Sequence, residues 1–329
     1  MKALVYRRNG AAQDVLEMTE LDVQQPRAGQ VRVRVAYSGV NPSDVKARAD
    51  VAGTGMPYSF VVPHQDGSGV VVQVGAGVDT AWLGKRVWFF HAQLGRQFGS
   101  AAEYACLPVE QVAPLPDEVS LEVGASVGIP LMTAYRVVHG YGDISGKTVL
   151  VAGGAGNVGL YAIQLARRAG ARVIATVSGA SRDKARLAAE AGAELVLDYR
   201  SPELLQAGVI GATQGRGVDV IIEVNAAQNA HHYPQLLAMH GRVIVYGSQA
   251  AEIPLSYRGL MKVMGSVHFF LIYQLSPSEL AATAQAVNAL LAEQVLRHQP
   301  HMVFAPEEAS LAHQHVEAGR LGKAMLRWI

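Results

Sequence analysis

The chain is poor in cysteine, in net charge and in long apolar runs. Cys106 is the only cysteine among 329 residues. That excludes intrachain disulfides and any structural zinc lobe built from four thiolates. Lysine and arginine total 28 against 27 aspartates and glutamates, a formal net charge of +1. So even a balance gives no electrostatic footprint for nucleic acid and no charged tail. No uninterrupted apolar stretch is long enough to span a bilayer. The opening residues Met1 to Arg8 contain no apolar signal-peptide core. There is no G-x-S-x-G elbow and no P-loop lysine. What remains is a soluble protein expected in the cytoplasm and long enough for two domains.

What is present centres on Thr148 to Gly159. A short apolar strand, Thr148 to Ala152, runs into a glycine-rich turn, and a helix pattern follows from Leu160 to Ala169. Gly154, Gly156 and Gly159 fit G-x-G-x-x-G in the strand–turn–helix context that gives the motif meaning. The first glycine permits a tight turn and the second lets a pyrophosphate approach the backbone. The third lets helix and strand pack closely. The helix start then offers free N–H groups and a positive dipole end to the phosphates. The stretch predicts a dinucleotide site.

On either side the texture differs. Residues 1 to about 120 are β-rich: Lys2 to Tyr6, Gln30 to Ser38, Gly69 to Val74 and Lys85 to Phe90 have strand character. Frequent glycine and proline punctuation predicts a small, curved, barrel-like domain. Val123 to Gly140 predicts a helix interrupted near Gly128-Ile129-Pro130. Strands at Arg172 to Val177, Glu194 to Leu197, Val218 to Glu223 and Arg242 to Tyr246 then alternate with helix patterns such as Arg182 to Ala191. Such alternation predicts an α/β fold with a doubly wound parallel sheet. Val267 to Tyr273 looks like a last apolar strand with an open edge, which pairing with a second copy would cover in a homodimer. Leu280 to Leu296 reads as a helix and residues from about 297 as irregular, ending in a strand-like tail, Ala324 to Ile329, that rejoins the first domain. The division is 1–122, a nucleotide-binding domain at 123–270, and 271–329 returning to the first domain.

Cofactor choice rests on the end of the second strand. NAD sites usually place an acid about 20 residues past the glycine turn, for the ribose 2′-hydroxyl. Here the strand ends in Ser178-Gly179-Ala180-Ser181-Arg182-Asp183-Lys184, with small hydroxyls and two cations. This suits a 2′-phosphate carrying about two negative charges. Ser178, Gly179, Arg182 and Lys184 are the candidates, and Tyr199 stacks on the adenine or touches the phosphate. The cofactor expected is NADPH.

These stretches, with several others, resemble the medium-chain dehydrogenase/reductase superfamily, and within it the zinc-free quinone oxidoreductases of the ζ-crystallin-like branch. The likeness runs through Gly39-Val40-Asn41-Pro42-Ser43-Asp44, Pro63-His64-Gln65-Asp66-Gly67-Ser68-Gly69-Val70 and Ala102-Glu103-Tyr104. It continues through Gly128 to Tyr135, Arg242 to Ser248 and Gly322-Lys323. It implies a Rossmann domain plus a β-rich, GroES-like catalytic domain. By that likeness Asn41 and Thr133 lie near the nicotinamide end, and Ala155, Gly156, Asn157, Val158 and Gly159 hold the pyrophosphate. Gly247, Ser248 and Phe269 flank the nicotinamide from the far side. Thr133 otherwise packs a helix, and Phe269 a strand core. Zinc alcohol dehydrogenases place a cysteine where Asn41 stands and a histidine where alignment puts Gln65. With two of three usual ligands gone, no metal is expected. The branch usually shows glycine at the position of His64 and often tyrosine at that of Lys46.

The expected activity is NADPH-dependent reduction of a quinone or another conjugated carbonyl, by hydride or electron transfer, without zinc. Asn41 is the candidate catalytic donor to the acceptor oxygen. Lys46 is the second: it binds a carbonyl or donates a proton, or else lies with Arg48 on a solvated helix face. Tyr58 and His91 line the pocket or the surface. His231-His232 and the histidines of the tail read as structural. Two alternatives stay open: an enone, alkenal or enoyl-thioester reductase on the same fold, and an NADPH-binding structural or regulatory protein with little turnover.

Overall fold

The computed structural model describes residues 1–179 and 181–329; Ala180 lies outside the described residues. The chain forms two compact units. One comprises Met1–Met132, Tyr273–Val295 and Gln299–Ile329, the other Thr133–Ile272 and Leu296–His298.

The first unit begins with strands β1 (Lys2–Val5), β2 (Glu17–Glu20), β3 (Gln30–Gly39), β4 (Asp66–Val74), β5 (Arg86–Phe89), β6 (Tyr104–Pro108) and β7 (Val112–Pro114). Strand β3 shows why the segment is a strand. Val31, Val33 and Val35 are buried at every second position, with arginines between them. These valines join Val71, Val87, Phe89 and Leu107 in one core. The β3–β4 pairing slips register between Arg32 and Val33 and again between Val35 and Tyr37. Such bulges bend a sheet and give the domain its curvature.

The second unit holds β8 (Thr148–Val151), β9 (Arg172–Val177), β10 (Leu195–Asp198), β11 (Val218–Glu223), β12 (Leu237–Val245) and β13 (Ser266–Phe269). All pair in parallel, in the order β10-β9-β8-β11-β12-β13. Every residue of β8 is buried, as expected for a strand covered on both faces. The order reverses between β8 and β11. In open α/β sheets ligands bind outside the strand carboxyl ends at such a switch point.

The tail adds β14 (His301–Phe304) and β15 (Lys323–Arg327) to the first unit. Strand β15 lies antiparallel to β3, Met325 opposite Gly39. The stretch from 297 is therefore more regular than expected, since it also contains the helix Ala309–Glu317. Two other expectations need correction. The helix Leu121–His139 runs unbroken through Pro130, because the neighbouring Ile129 N–H is taken up by Asp66 Oδ1 at 2.9 Å. The last strand of the parallel sheet stops at Phe269, and a 3-10 turn, Ile272–Gln274, follows. A helix not anticipated, Pro202–Ala212, starts with proline in its first turn. Among the described residues, no helix is long and apolar enough to cross a membrane.

Candidate active site

In the second unit the left-handed turn falls on Gly153, one residue before the motif's first glycine, whereas Gly154 is constrained by packing, a Cβ there lying 2.8 Å from Ala175 Cβ. Gly153 sits at φ +66°, and a Cβ on Gly159 would lie 2.2 Å from the Gly153 carbonyl oxygen. Helix and strand are thus in contact where only glycine fits. At Gly156 an added Cβ meets nothing closer than that same oxygen at 3.2 Å. Gly156 is also the N-cap of the helix Asn157–Arg168 and makes no side-chain cap. The helix therefore starts with first-turn N–H groups that no capping side chain takes up, beside an open shelf at Gly156. Ala155 is buried within the turn.

The remaining nucleotide candidates lie at the same carboxyl edge of the sheet. Ser178 and Gly179 follow β9, Tyr199 follows β10, Gly247 and Ser248 follow β12, and Phe269 ends β13. Strands β10 and β13 are the two edges of the sheet, roughly 24 Å apart at ordinary strand spacing. Tyr199 lines a cavity with Leu150, Ala152, Thr176, Ile221 and Glu223. Lys184 Nζ donates to Ser178 Oγ at 3.2 Å, and Arg182 is exposed in the first turn of the same helix. Phe269 is 64% exposed, so it is not strand core. Thr133 is buried in its helix.

One acid was missed. Asp198, at the end of β10, accepts the Gly179 N–H at 2.9 Å and is paired with Arg200, Nη2 to Oδ2 at 3.2 Å. Hydrogen bonds from Arg200 hold this carboxyl down at about 2. An anion therefore does stand at the tip of β9, brought by the neighbouring strand, with Arg200 against it. Parallel register places Asp198 opposite Val177 and was the available signal.

In the first unit, Asn41 caps the helix Pro42–Arg48 and is 1% exposed. Its Nδ2 donates to Asp66 Oδ2 at 2.7 Å, and its Oδ1 accepts from Lys323 Nζ at 2.6 Å. Lys323 and Asp66 are themselves buried, 3.7 Å apart as an ion pair. Burial pushes the lysine down, and Asp66 opposes that shift; burial pushes Asp66 up, and Lys323 opposes it. Asp44 Oδ2 accepts the Asn41 backbone N–H at 2.7 Å, and burial raises this carboxyl to about 8. The cluster is thus a Lys323–Asp66 ion pair beside Asp44, whose burial favours the protonated carboxyl. Tyr273 donates to Ser43 Oγ at 2.7 Å, next to the same group.

Lys46 is exposed, five residues along the helix from Asn41. Arg48 is not on a solvated face. It is wholly buried, donating to the Gly10 carbonyl and paired with Glu317. His91 is not at the surface either: it is buried between Phe90 and Tyr273, with ring centroids 5.2 and 5.0 Å away. Tyr58 is half-buried and donates to the Gly95 carbonyl at 2.9 Å.

His64 has a structural role. Its φ is +78°, which explains why a glycine usually stands there. Left-handed backbone costs an ordinary residue roughly 1–2 kcal/mol. Hydrogen bonds offset that cost. Ser100 Oγ donates to the Asp66 carbonyl, so Ser38 must donate to Ser100 and accept from His64 Nδ1. His64 Nε2 then accepts from His313 Nε2 at 2.8 Å. Burial lowers both imidazoles, consistent with two neutral rings.

Among the described residues, no group of three or more His, Cys, Asp or Glu is placed to hold a metal ion. Gln65, at the alignment position of a zinc-ligating histidine, bonds the Gln93 side chain at 3.2 Å.

Residues 27–117 match the alcohol dehydrogenase GroES-like domain and 157–289 the zinc-binding dehydrogenase domain. The quinone oxidoreductase of Lama guanicoe is 30% identical across 99% of this chain and 97% of its own length. That of Pseudomonas aeruginosa is 29% identical across 93% of each. A mycobacterial protein solved in complex with NADPH is 28% identical, with a TM-score of 0.86, covering 99% of this chain and 100% of that one. Near-full-length likeness in both sequence and structure assigns the chain to the quinone oxidoreductase family of the medium-chain dehydrogenase/reductase superfamily.

Proposed function

We propose that the protein is an NADPH-dependent quinone oxidoreductase working without zinc. The observation that carries the reading is the open shelf at Gly156 with the Lys184–Ser178 pair one strand away. The first-turn N–H groups suit a pyrophosphate. Lys184, Arg182 and Arg200 supply the charge a 2′-phosphate needs, with Asp198 offsetting part of it. Gly247, Ser248, Thr133 and Phe269 are read as the nicotinamide end. When bound, NADPH supplies a hydride equivalent to the acceptor. In the first unit, the remaining Asn41 N–H donates to the acceptor's carbonyl oxygen and stabilises the charge arriving there. Lys46 serves as a second cation toward that oxygen.

Donor chemistry supports zinc-free operation. Zinc prefers thiolate, imidazole and carboxylate ligands, and this chain presents two neutral amides instead, both hydrogen-bonded to side chains. A conjugated acceptor spreads incoming charge onto oxygen, so an N–H donor suffices.

The test is NADPH oxidation with quinones, enones and alkenals, with NADH run alongside. Quinone-dependent turnover is expected, at least about 10-fold more efficient with NADPH, the scale of one lost charge-assisted contact. Faster enone turnover would favour the enone-reductase reading. Tight NADPH binding with no turnover would favour a binding protein, and no binding would end the reading altogether.

The same reading makes the protein a cytoplasmic homodimer. Strand β13 is a sheet edge, and near it Met261, Met264, Phe269 and Leu271 are 55%, 63%, 64% and 53% exposed. A second copy pairing there would cover them. A monodisperse monomer by light scattering at micromolar protein would exclude the dimer. Recovery outside the cytoplasm on cell fractionation would exclude the location.

A further inference from the structure

We propose that Lys323 and Asp66 clamp the Asn41 amide in one orientation, which makes Lys323 a positioning residue for the acceptor's oxygen. The inference rests on the reading that Asn41 donates to that oxygen. An asparagine amide has two N–H donors and one carbonyl. Here the carbonyl accepts from the Lys323 ammonium at 2.6 Å, and one N–H goes to the Asp66 carboxylate at 2.7 Å. A flipped amide would set NH2 against the ammonium and oxygen against the carboxylate. Both ends therefore reject the wrong orientation, and one N–H is left with a fixed direction.

The surroundings are built for this arrangement. Lys323 is 1% exposed, and a buried lysine is costly without a partner. Its stem crosses Gly39, where a Cβ would lie 3.0 Å from Lys323 Cε and 2.2 Å from the Ala125 carbonyl oxygen. Asp66 is held from its other side by the Ile129 N–H at 2.9 Å. The carboxylate is thus tied to a helix, the lysine to a strand, and the amide is suspended between them. An ammonium on the carbonyl oxygen also polarises the amide and strengthens its N–H as a donor.

Quinone reduction is measured at saturating NADPH in the wild type, Asn41→Ala, Lys323→Met and the double variant. NADPH affinity is measured separately by fluorescence titration. Asn41→Ala is expected to lower kcat roughly 100-fold, the scale of one lost oxyanion donor. Lys323→Met is expected to lower it roughly 10- to 100-fold, the scale of a misplaced group. NADPH affinity stays near that of the wild type in Lys323→Met, and the double variant is no slower than Asn41→Ala alone. Multiplicative losses in the double variant overturn the clamp, as does an unaltered kcat in Lys323→Met. An unaltered kcat in Asn41→Ala overturns instead the reading of Asn41 itself, and the clamp with it. Should Lys323→Met fail to fold, Asp66→Asn/Lys323→Met keeps the cluster neutral. The same comparison with and without Asn41→Ala then decides.

Discussion

Asp44 packs beside the clamp with Oδ2 accepting the Asn41 N–H. Burial raises its carboxyl from the usual 3.8 to about 8. The folded protein therefore keeps a proton across that window which the unfolded chain has released. Its contribution to stability is full below about pH 4 and is lost as pH rises through about 8. Asp44→Asn retains an acceptor for the Asn41 N–H but does not ionise. Its stability relative to the wild type should rise by a few kcal/mol between pH 5 and pH 8, at about 1.4 kcal/mol per pH unit. Urea midpoints read against pH test this; parallel curves for the two proteins would show that Asp44 ionises as it does in water. Asn41 itself was legible because its motif is local. Its partners were not, since Asp66 is 25 residues away and Lys323 is 282 away. Both stood in the stretches that carry the family likeness, but nothing in their spacing told that they meet one amide.

The strand–turn–helix element was readable almost whole, because strand, glycines and helix start are contiguous and each has one physical job. Gly156 and Gly159 separate two of those jobs. A methyl at position 159 meets the Gly153 carbonyl at 2.2 Å, whereas one at position 156 needs an adjustment of only a few tenths of an ångström. Gly159→Ala should therefore lower the melting temperature by several degrees, the scale of a local overpacking cost of about 1–3 kcal/mol. Gly156→Ala should keep the melting temperature of the protein alone and weaken NADPH by roughly 10-fold or more, since its methyl occupies the shelf. Thermal scans with and without NADPH distinguish the two; equal behaviour would show that the shelf is not used. Elements that misled were those whose signal is tertiary. Pro130 reads as a breaker, yet its helix survives because the adjacent N–H finds Asp66. The helix Ala309–Glu317 hides its identity because its buried face includes His313 and His315, polar residues that seldom mark a core.

Across the whole molecule, the parallel sheet followed from strand–helix alternation, whereas the order of its strands came only with the structure. The first unit was less readable, because it is discontinuous in sequence. Strand β15 pairs with β3, but the entire second unit is encoded between them. This arrangement has a consequence on the ribosome. At about 5–20 residues per second, the edge of β3 waits roughly 15–60 s for the strand that completes it. The six parallel strands emerge inside that interval and can fold first. Nascent chains stalled before Lys323 should therefore resist protease over residues 148–269 while the first hundred residues are still cut. Equal protection of both stretches would refute the sequence of events. The buried ammonium that orients Asn41 is thus translated after the whole second unit, so the site is completed only once that unit has been made.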